Sequence, residues 1–287
     1  GLPYWRAYLL WQALLTAALA GFILAWPVRD RSLLAVACCW SFPLSVGFAN
    51  GQDDTFLLLL LALAVRSAER KPLVAGLLLS MCALKYHLFL ALPVALAAAR
   101  RWRIFAGAAA GVAGILAVSF AVAGLHWPSY HLALVLSSRI NPAVHTMPNL
   151  RGITAHLEQG VWPEIALAVS VVAAVAFIAA RLDFRTALAA ALLGGILVSH
   201  HAYPADLSLL IPALFVLTER FSEPIMRYTA VALLLPHWFV LRLPGPPGSL
   251  TAGIFVAASM GILGYLVMQA RRQREGGLDK EKSLGPR

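Results

Sequence analysis

Three short polar turns interrupt long apolar runs, and they carry most of the side chains able to do chemistry. They are Gln52-Asp53-Asp54, Lys85-Tyr86-His87, and His200-His201 with Tyr203 and Asp206. A longer polar stretch, 126–161, adds four histidines together with Asn149 and Arg151. Lys85 lies in the middle of the apolar segment 72–99. It reads either as a lysine snorkelling from a helix end or as a buried ammonium, which is costly and marks a functional site. Asp53 can cap a helix over 55–65 while Asp54 faces a cavity as a base; the alternative is that the pair serves only as a helix start. His200 and His201 are either a hydrated turn or metal ligands. As ligands they lack a third partner at helical spacing, with Asp206 the nearest candidate. Cys38, Cys39 and Cys82 sit inside apolar segments without metal-ligand spacing and read as packing residues.

The elements that must position these groups are membrane helices. The chain has 287 residues, of which 60% are hydrophobic and 13% charged, and its mean hydropathy is +0.77. A soluble domain carries roughly a quarter charged residues. The Leu/Ala/Val runs approach the ~20 residues that a bilayer core demands of a helix. They lack the alternation of barrel strands. The net charge of +10 would suggest nucleic acid in a soluble protein. Here the basic residues instead sit at the ends of apolar runs, and no nucleic-acid partner is expected. The chain starts almost directly on a hydrophobic helix, without a signal-peptide pattern, which predicts further sequence upstream.

The positive-inside rule orients the runs. With the turn at 29–31 inside and strict alternation, all but five of the 23 Lys and Arg fall on the cytoplasmic side; the five are Arg6, Lys85, Arg139, Arg151 and Arg242. All eight His fall outside, as do Asp53, Asp54, Glu158, Glu164 and Asp206. The expectation is an all-α, polytopic membrane bundle of about 11 segments. It comprises one transmembrane domain over 1–270, with a long extracytoplasmic loop at 126–161, and a disordered basic tail at 271–287.

Segment 72–99 has basic clusters at both ends, so both ends belong on one side. Two half-length helices meeting near Lys85 satisfy that. Fourteen residues from Lys71 to Lys85 reach roughly 21 Å, short of the ~30 Å core, which places Lys85 below the outer surface in protein or a wet cavity. The turn at 200–206 repeats the design, and 50–54 is a third polar cap. One cavity, shared by the three caps and open to the outer face, is predicted.

From Gly51-Gln52 onward the chain resembles glycosyltransferase family 87. The similarity rests on the Gly-Gln turn and its Leu-rich helix, Ala75-Gly76-Leu77, Lys85, Pro93 and Arg101-Trp102-Arg103. It continues through Met147-Pro148-Asn149-Leu150-Arg151-Gly152 and the His-Tyr turn and Leu-Pro helix of 199–214. Tyr86 stands where the family often has Pro. The resemblance covers roughly 40–220. It implies a GT-C fold in the cytoplasmic membrane. The implied reaction moves a hexose, typically mannose, from a polyprenyl-phosphate sugar to a lipid or glycan acceptor on the extracytoplasmic face, with no cofactor. For such a reaction we read phosphate contact at Lys85, with Arg151 or Arg139 assisting, and sugar hydroxyl contacts at Gln52, Asn149, His200 and His201, with Tyr86, His87, Tyr203 and Asp206 as further substrate-binding candidates. Asp54 or Asp53 is the early outward carboxylate in this chain. The family pattern places its main catalytic aspartate in the first extracytoplasmic loop, which would lie upstream of Gly1. A transporter or flippase, or a non-catalytic membrane subunit, is the competing class.

Overall fold

The computed structural model describes residues 1–135, 144–155, 157, 161–221, 223–234 and 246–283. The described residues are helical, with no strand among them. Helix α1 is Tyr4–Ala25. Helices α2 (Arg31–Trp40) and α3 (Phe42–Ala49) form one broken span, bent by 61°. The break falls at Ser41, whose hydroxyl accepts from the Leu44 amide, and Pro43 enters the first turn of α3. Helix α4 (Asp54–Ser67) follows the Asn50–Asp53 turn, in which Gly51 takes a φ of +66°. Such a backbone suits glycine.

Next come α5 (Pro72–Ser80), a 3₁₀ segment Met81–Phe89, α6 (Ala91–Ala98) and α7 (Trp102–Ala123). The polar stretch beyond α7 contains α8 (Trp127–Val135) and α9 (Leu150–Thr154). The remaining helices are α10 (Trp162–Ala179), α11 (Phe184–Val198), α12 (Ile211–Arg220), α13 (Pro224–Leu234) and α14 (Pro246–Ser283). Helix α14 runs on past the apolar stretch as far as Ser283. The Arg, Gln, Glu and Lys residues there are good helix formers.

Among the described residues five helices are long and apolar enough to cross a membrane, or six with the bent α2–α3 pair. These are the full-length spans among the described residues; other helices are short, as expected of a bundle whose segments include short paired helices. The 14 residues of α4 cover only about 21 Å. Short helices instead pair into hairpins. Arg101 at the start of α7 reaches Glu69 beyond the end of α4, so both ends of 72–99 meet at one end of the bundle. Arg185 pairs with Glu219, and Arg220 with Asp183, which closes a second hairpin over 184–220 at the same end. Lys85 and Asp206 lie at the opposite end of their hairpins and meet each other there.

The core is Leu/Ala-rich, with α11 almost wholly buried. Long apolar side chains such as Leu9, Val118 and Val122 point outward, as a lipid-facing surface requires. Of the cysteines, Cys38 and Cys82 are buried and Cys39 is exposed.

Candidate active site

Lys85 breaks its own helix, with φ −115° and ψ 51° between helical neighbours. Helix α11 holds the break in place from behind: a Cβ on Gly195 would run into the Leu88 carbonyl, so the two backbones touch. The lysine is only 8% exposed. Its Nζ donates to Asp54 Oδ1 at 2.5 Å and to Asp206 Oδ1 at 2.8 Å, with Asp53 Oδ1 at 3.9 Å. The three polar turns therefore converge on one ammonium, and the snorkelling alternative for Lys85 is excluded.

The two aspartates of the first turn differ in burial and contacts. Asp53 makes no side-chain cap for α4, and its side chain is 35% exposed beside Lys85. Asp54 is the buried one, at 1%. One oxygen is held by Lys85, and the other lies against Gly47, where a Cβ would come within 2.9 Å. That second oxygen has no hydrogen-bond partner among the described residues. Asp206 is committed on both oxygens, since Oδ2 accepts from the Tyr203 amide at 2.7 Å. It ties the lysine to the start of the 3₁₀ segment Pro204–Leu210.

One ammonium faces three carboxylates. Even with one carboxyl protonated, the cluster carries net negative charge, which disfavours a phosphate at Lys85. The geometry thus argues against the phosphate role expected for this lysine. A cavity of about 350 Å³ adjoins the cluster, lined by Asn50, Gln52, Tyr203 and Asp206 among others. Lys85 does not line it. The shared cavity therefore joins two of the three turns, with the lysine packed behind Asp206.

Around this core the aromatic residues form a continuous shell. The His87 and His201 rings lie 4.2 Å apart. Tyr86 meets the edge of His87 and also contacts His131 of α8. His201 contacts both His200 and Tyr203. His87 Nε2 and His201 Nδ1 are buried without a partner among the described residues. Leaving such an atom unmet costs about 1–3 kcal/mol, so this shell suits polar occupants.

Arg151 Nη1 lies 2.6 Å from Nδ1 and 2.9 Å from Nε2 of His200. Arginine only donates, so it is the unprotonated one of the two ring nitrogens of His200 that accepts. Its pKa is lowered, first by burial and then by the Arg151 charge. That of His201 is also lowered, chiefly by burial, and the Tyr203 phenol is raised by burial and by Asp206. Among the described residues Arg151 has no carboxylate in ion-pair contact. With His200 turned to Arg151 and Asp206 to Lys85, the three residues do not converge as a metal-ligand set.

Asn149 does not present its amide to a ligand. It is fully buried, its Nδ2 donates to the Ser199 carbonyl and its Oδ1 caps the Gly152 amide. It fastens α9 to the histidine turn and so places Arg151. Gly47 and Ser199 carry no signal in the sequence as an isolated helical glycine and a serine, yet one backs Asp54 and the other receives Asn149. Arg139, His156 and Glu158 lie outside the described residues.

No curated protein and no solved structure matches the chain. The family model that does match runs from residue 1 to 211 and so takes in all three polar turns, Asn149 and Arg151, together with α1 and α2, ahead of where the resemblance was expected to begin. A many-helix membrane architecture built around those turns agrees with that match, and the chain belongs to glycosyltransferase family 87, a family of membrane glycosyltransferases.

Proposed function

We propose that the chain transfers a hexose from a polyprenyl-phosphate sugar to a lipid or glycan acceptor on the extracytoplasmic face of the cytoplasmic membrane. The observation that carries this reading is the buried Asp54–Lys85–Asp206 cluster beside a polar cavity. It lies at the end of the bundle opposite the arginine-rich loops, and the positive-inside rule assigns that end to the outside.

Glycosyl transfer passes through positive charge on the sugar ring, and an anionic floor favours that charge. Asp53, the exposed carboxylate of the cluster, takes the proton from the acceptor hydroxyl. A bond forms between that oxygen and the anomeric carbon as the bond from that carbon to the phosphate oxygen breaks. Polyprenyl phosphate leaves, its charge offset by Arg151. Gln52 and Tyr203 hold sugar hydroxyls in the cavity. Asp54, Lys85 and Asp206 fix the geometry without touching the phosphate. The family resemblance supports a hexose, mannose above all, as the sugar transferred.

Transfer from a radiolabelled polyprenyl-phosphate hexose in membranes containing the protein tests this. Asp53→Asn should lower the rate by about 10²–10⁴-fold, the usual worth of a general base, while protein level and membrane insertion stay unchanged. Wild-type rates in that variant would remove Asp53 as the base. The helix break at Lys85 is also a transporter feature. Solute uptake into proteoliposomes without sugar transfer would favour that reading instead.

A further inference from the structure

At the basic end of the bundle several arginines are met by carboxylates: Arg101 by Glu69, Arg185 by Glu219 and Arg220 by Asp183. Arg100 and Arg181 have no such partner among the described residues. Both line an open cavity of about 590 Å³ bounded by the ends of α6 and α10 and by α14, with Ala98, Ala99, Ala180 and Gln273 completing its wall. Among the described residues no acidic side chain lines this cavity.

Arg181 is held in place. Its guanidinium carbon lies 3.8 Å from the centre of the Phe177 ring, and Nη1 donates to the Phe177 carbonyl at 3.3 Å. That bond occupies one of five N–H donors and fixes the others, and a fixed guanidinium suits two-point recognition of phosphate oxygens. Arg100 adopts a φ of +54°, the one positive φ outside glycine among the described residues. It is the left-handed residue that closes α6, with the Arg101 amide donating to the Leu96 carbonyl at 3.0 Å, and it sets the point from which the Arg100 side chain leaves the helix end.

The wall is alanine from the ends of apolar helices, one of which, α10, is long enough to cross a membrane. Trp102, two residues along the chain from Arg100, is 59% exposed, in the manner of tryptophans at the level of lipid headgroups. A basic pocket between transmembrane helices at that level is the setting in which anionic headgroups bind.

We propose that this cavity binds the headgroup phosphate of an anionic membrane lipid between Arg100 and Arg181. The site lies at the opposite end from Lys85 and does not depend on the reaction proposed above. Bound lipid would tie α6, α10 and α14 together where their own contacts leave an opening.

Native mass spectrometry of the intact chain tests this, with phosphatidylglycerol, phosphatidylcholine or inorganic phosphate added to the detergent-purified protein. Wild type should retain phosphatidylglycerol in preference to phosphatidylcholine. The double variant Arg100→Gln/Arg181→Gln should bind it about thirtyfold more weakly, from the usual worth of two arginines near an anionic lipid. Arg103→Gln, which alters an exposed arginine outside the cavity, should bind as wild type does. Arg181→Lys on an otherwise unchanged chain should restore part of the affinity lost in Arg181→Gln, which a purely structural role for the Phe177 stack would not. Equal retention of the two lipids, equal binding by the double variant, or saturation by inorganic phosphate at the same concentration would overturn the proposal.

Discussion

The two ends of the bundle use the same residue types for different ends. At one, Lys85 is met by Asp54 and Asp206 with all three nearly sealed from solvent. At the other, Arg101 meets Glu69 with side chains 36% and 71% exposed. The pairs look alike as contacts, but burial separates them. An exposed pair is worth about 0–1 kcal/mol. A buried cluster costs heavy desolvation and is weak evidence of stability, yet removing one member leaves charge stranded, at about 3–5 kcal/mol. The exposed pairs mark where hairpins close. The buried one makes three separate turns depend on each other, which a site assembled from distant chain segments requires.

The largest expected effect is on that contrast itself. Lys85→Met should lower stability by about 3–5 kcal/mol and abolish sugar transfer, since two buried carboxylates lose their cation. Arg101→Met should cost less than about 1 kcal/mol. Thermal melts in one detergent compare the two. Similar melting temperatures for both variants would mean that the Lys85 cluster is no more demanding than a surface pair.

A second comparison probes the wall behind Asp54. Gly47→Ala puts a methyl within 2.9 Å of Asp54 Oδ2, whereas Gly114 has nothing within 4 Å of its added Cβ. The first should cost about 1–3 kcal/mol, as overpacking does, and lower activity by displacing the carboxylate. Gly114→Ala should be neutral or stabilising by up to about 1 kcal/mol, from helix propensity alone. Activity and melting temperature unchanged in Gly47→Ala would show that Asp54 can shift at no loss.

Much of this was legible in the sequence. Basic residues at both ends of 72–99 required a hairpin, and the Arg101–Glu69 contact closes it. The polar turns named the residues that converge. The pairing within them was not legible. Asp53 and Asp54 are neighbours of one type, and only the path of the chain after Gly51 decides which is buried. Asn149 looked available for sugar because nothing local shows that Ser199, 50 residues away, takes its amide. Charge alternation counts segments, short paired helices included, whereas five or six of the described helices are long enough to cross a bilayer alone.

The smallest expected effect distinguishes the ends by pH. His200 sits at the polar-turn end with its pKa lowered, first by burial and then by Arg151, while no histidine falls in the arginine-rich turns of the other end. A lowered folded pKa means that the unfolded chain, near 6.5, takes up a proton before the folded chain does. Below that pH unfolding gains protons, so stability is intact above about 6.5 and declines as pH falls toward the folded value. Protonation also turns the imidazole that accepts from Arg151 into a second cation facing it. His200→Asn should therefore remove part of the fall in melting temperature between pH 7.5 and 5. The exposure of the site keeps the difference below about 2–4 °C, the shift that accompanies about 1 kcal/mol in chains of roughly this size. Identical pH profiles for variant and wild type would show that the Arg151–His200 contact opens before it titrates, leaving Arg151 to be positioned by Asn149 and α9 alone.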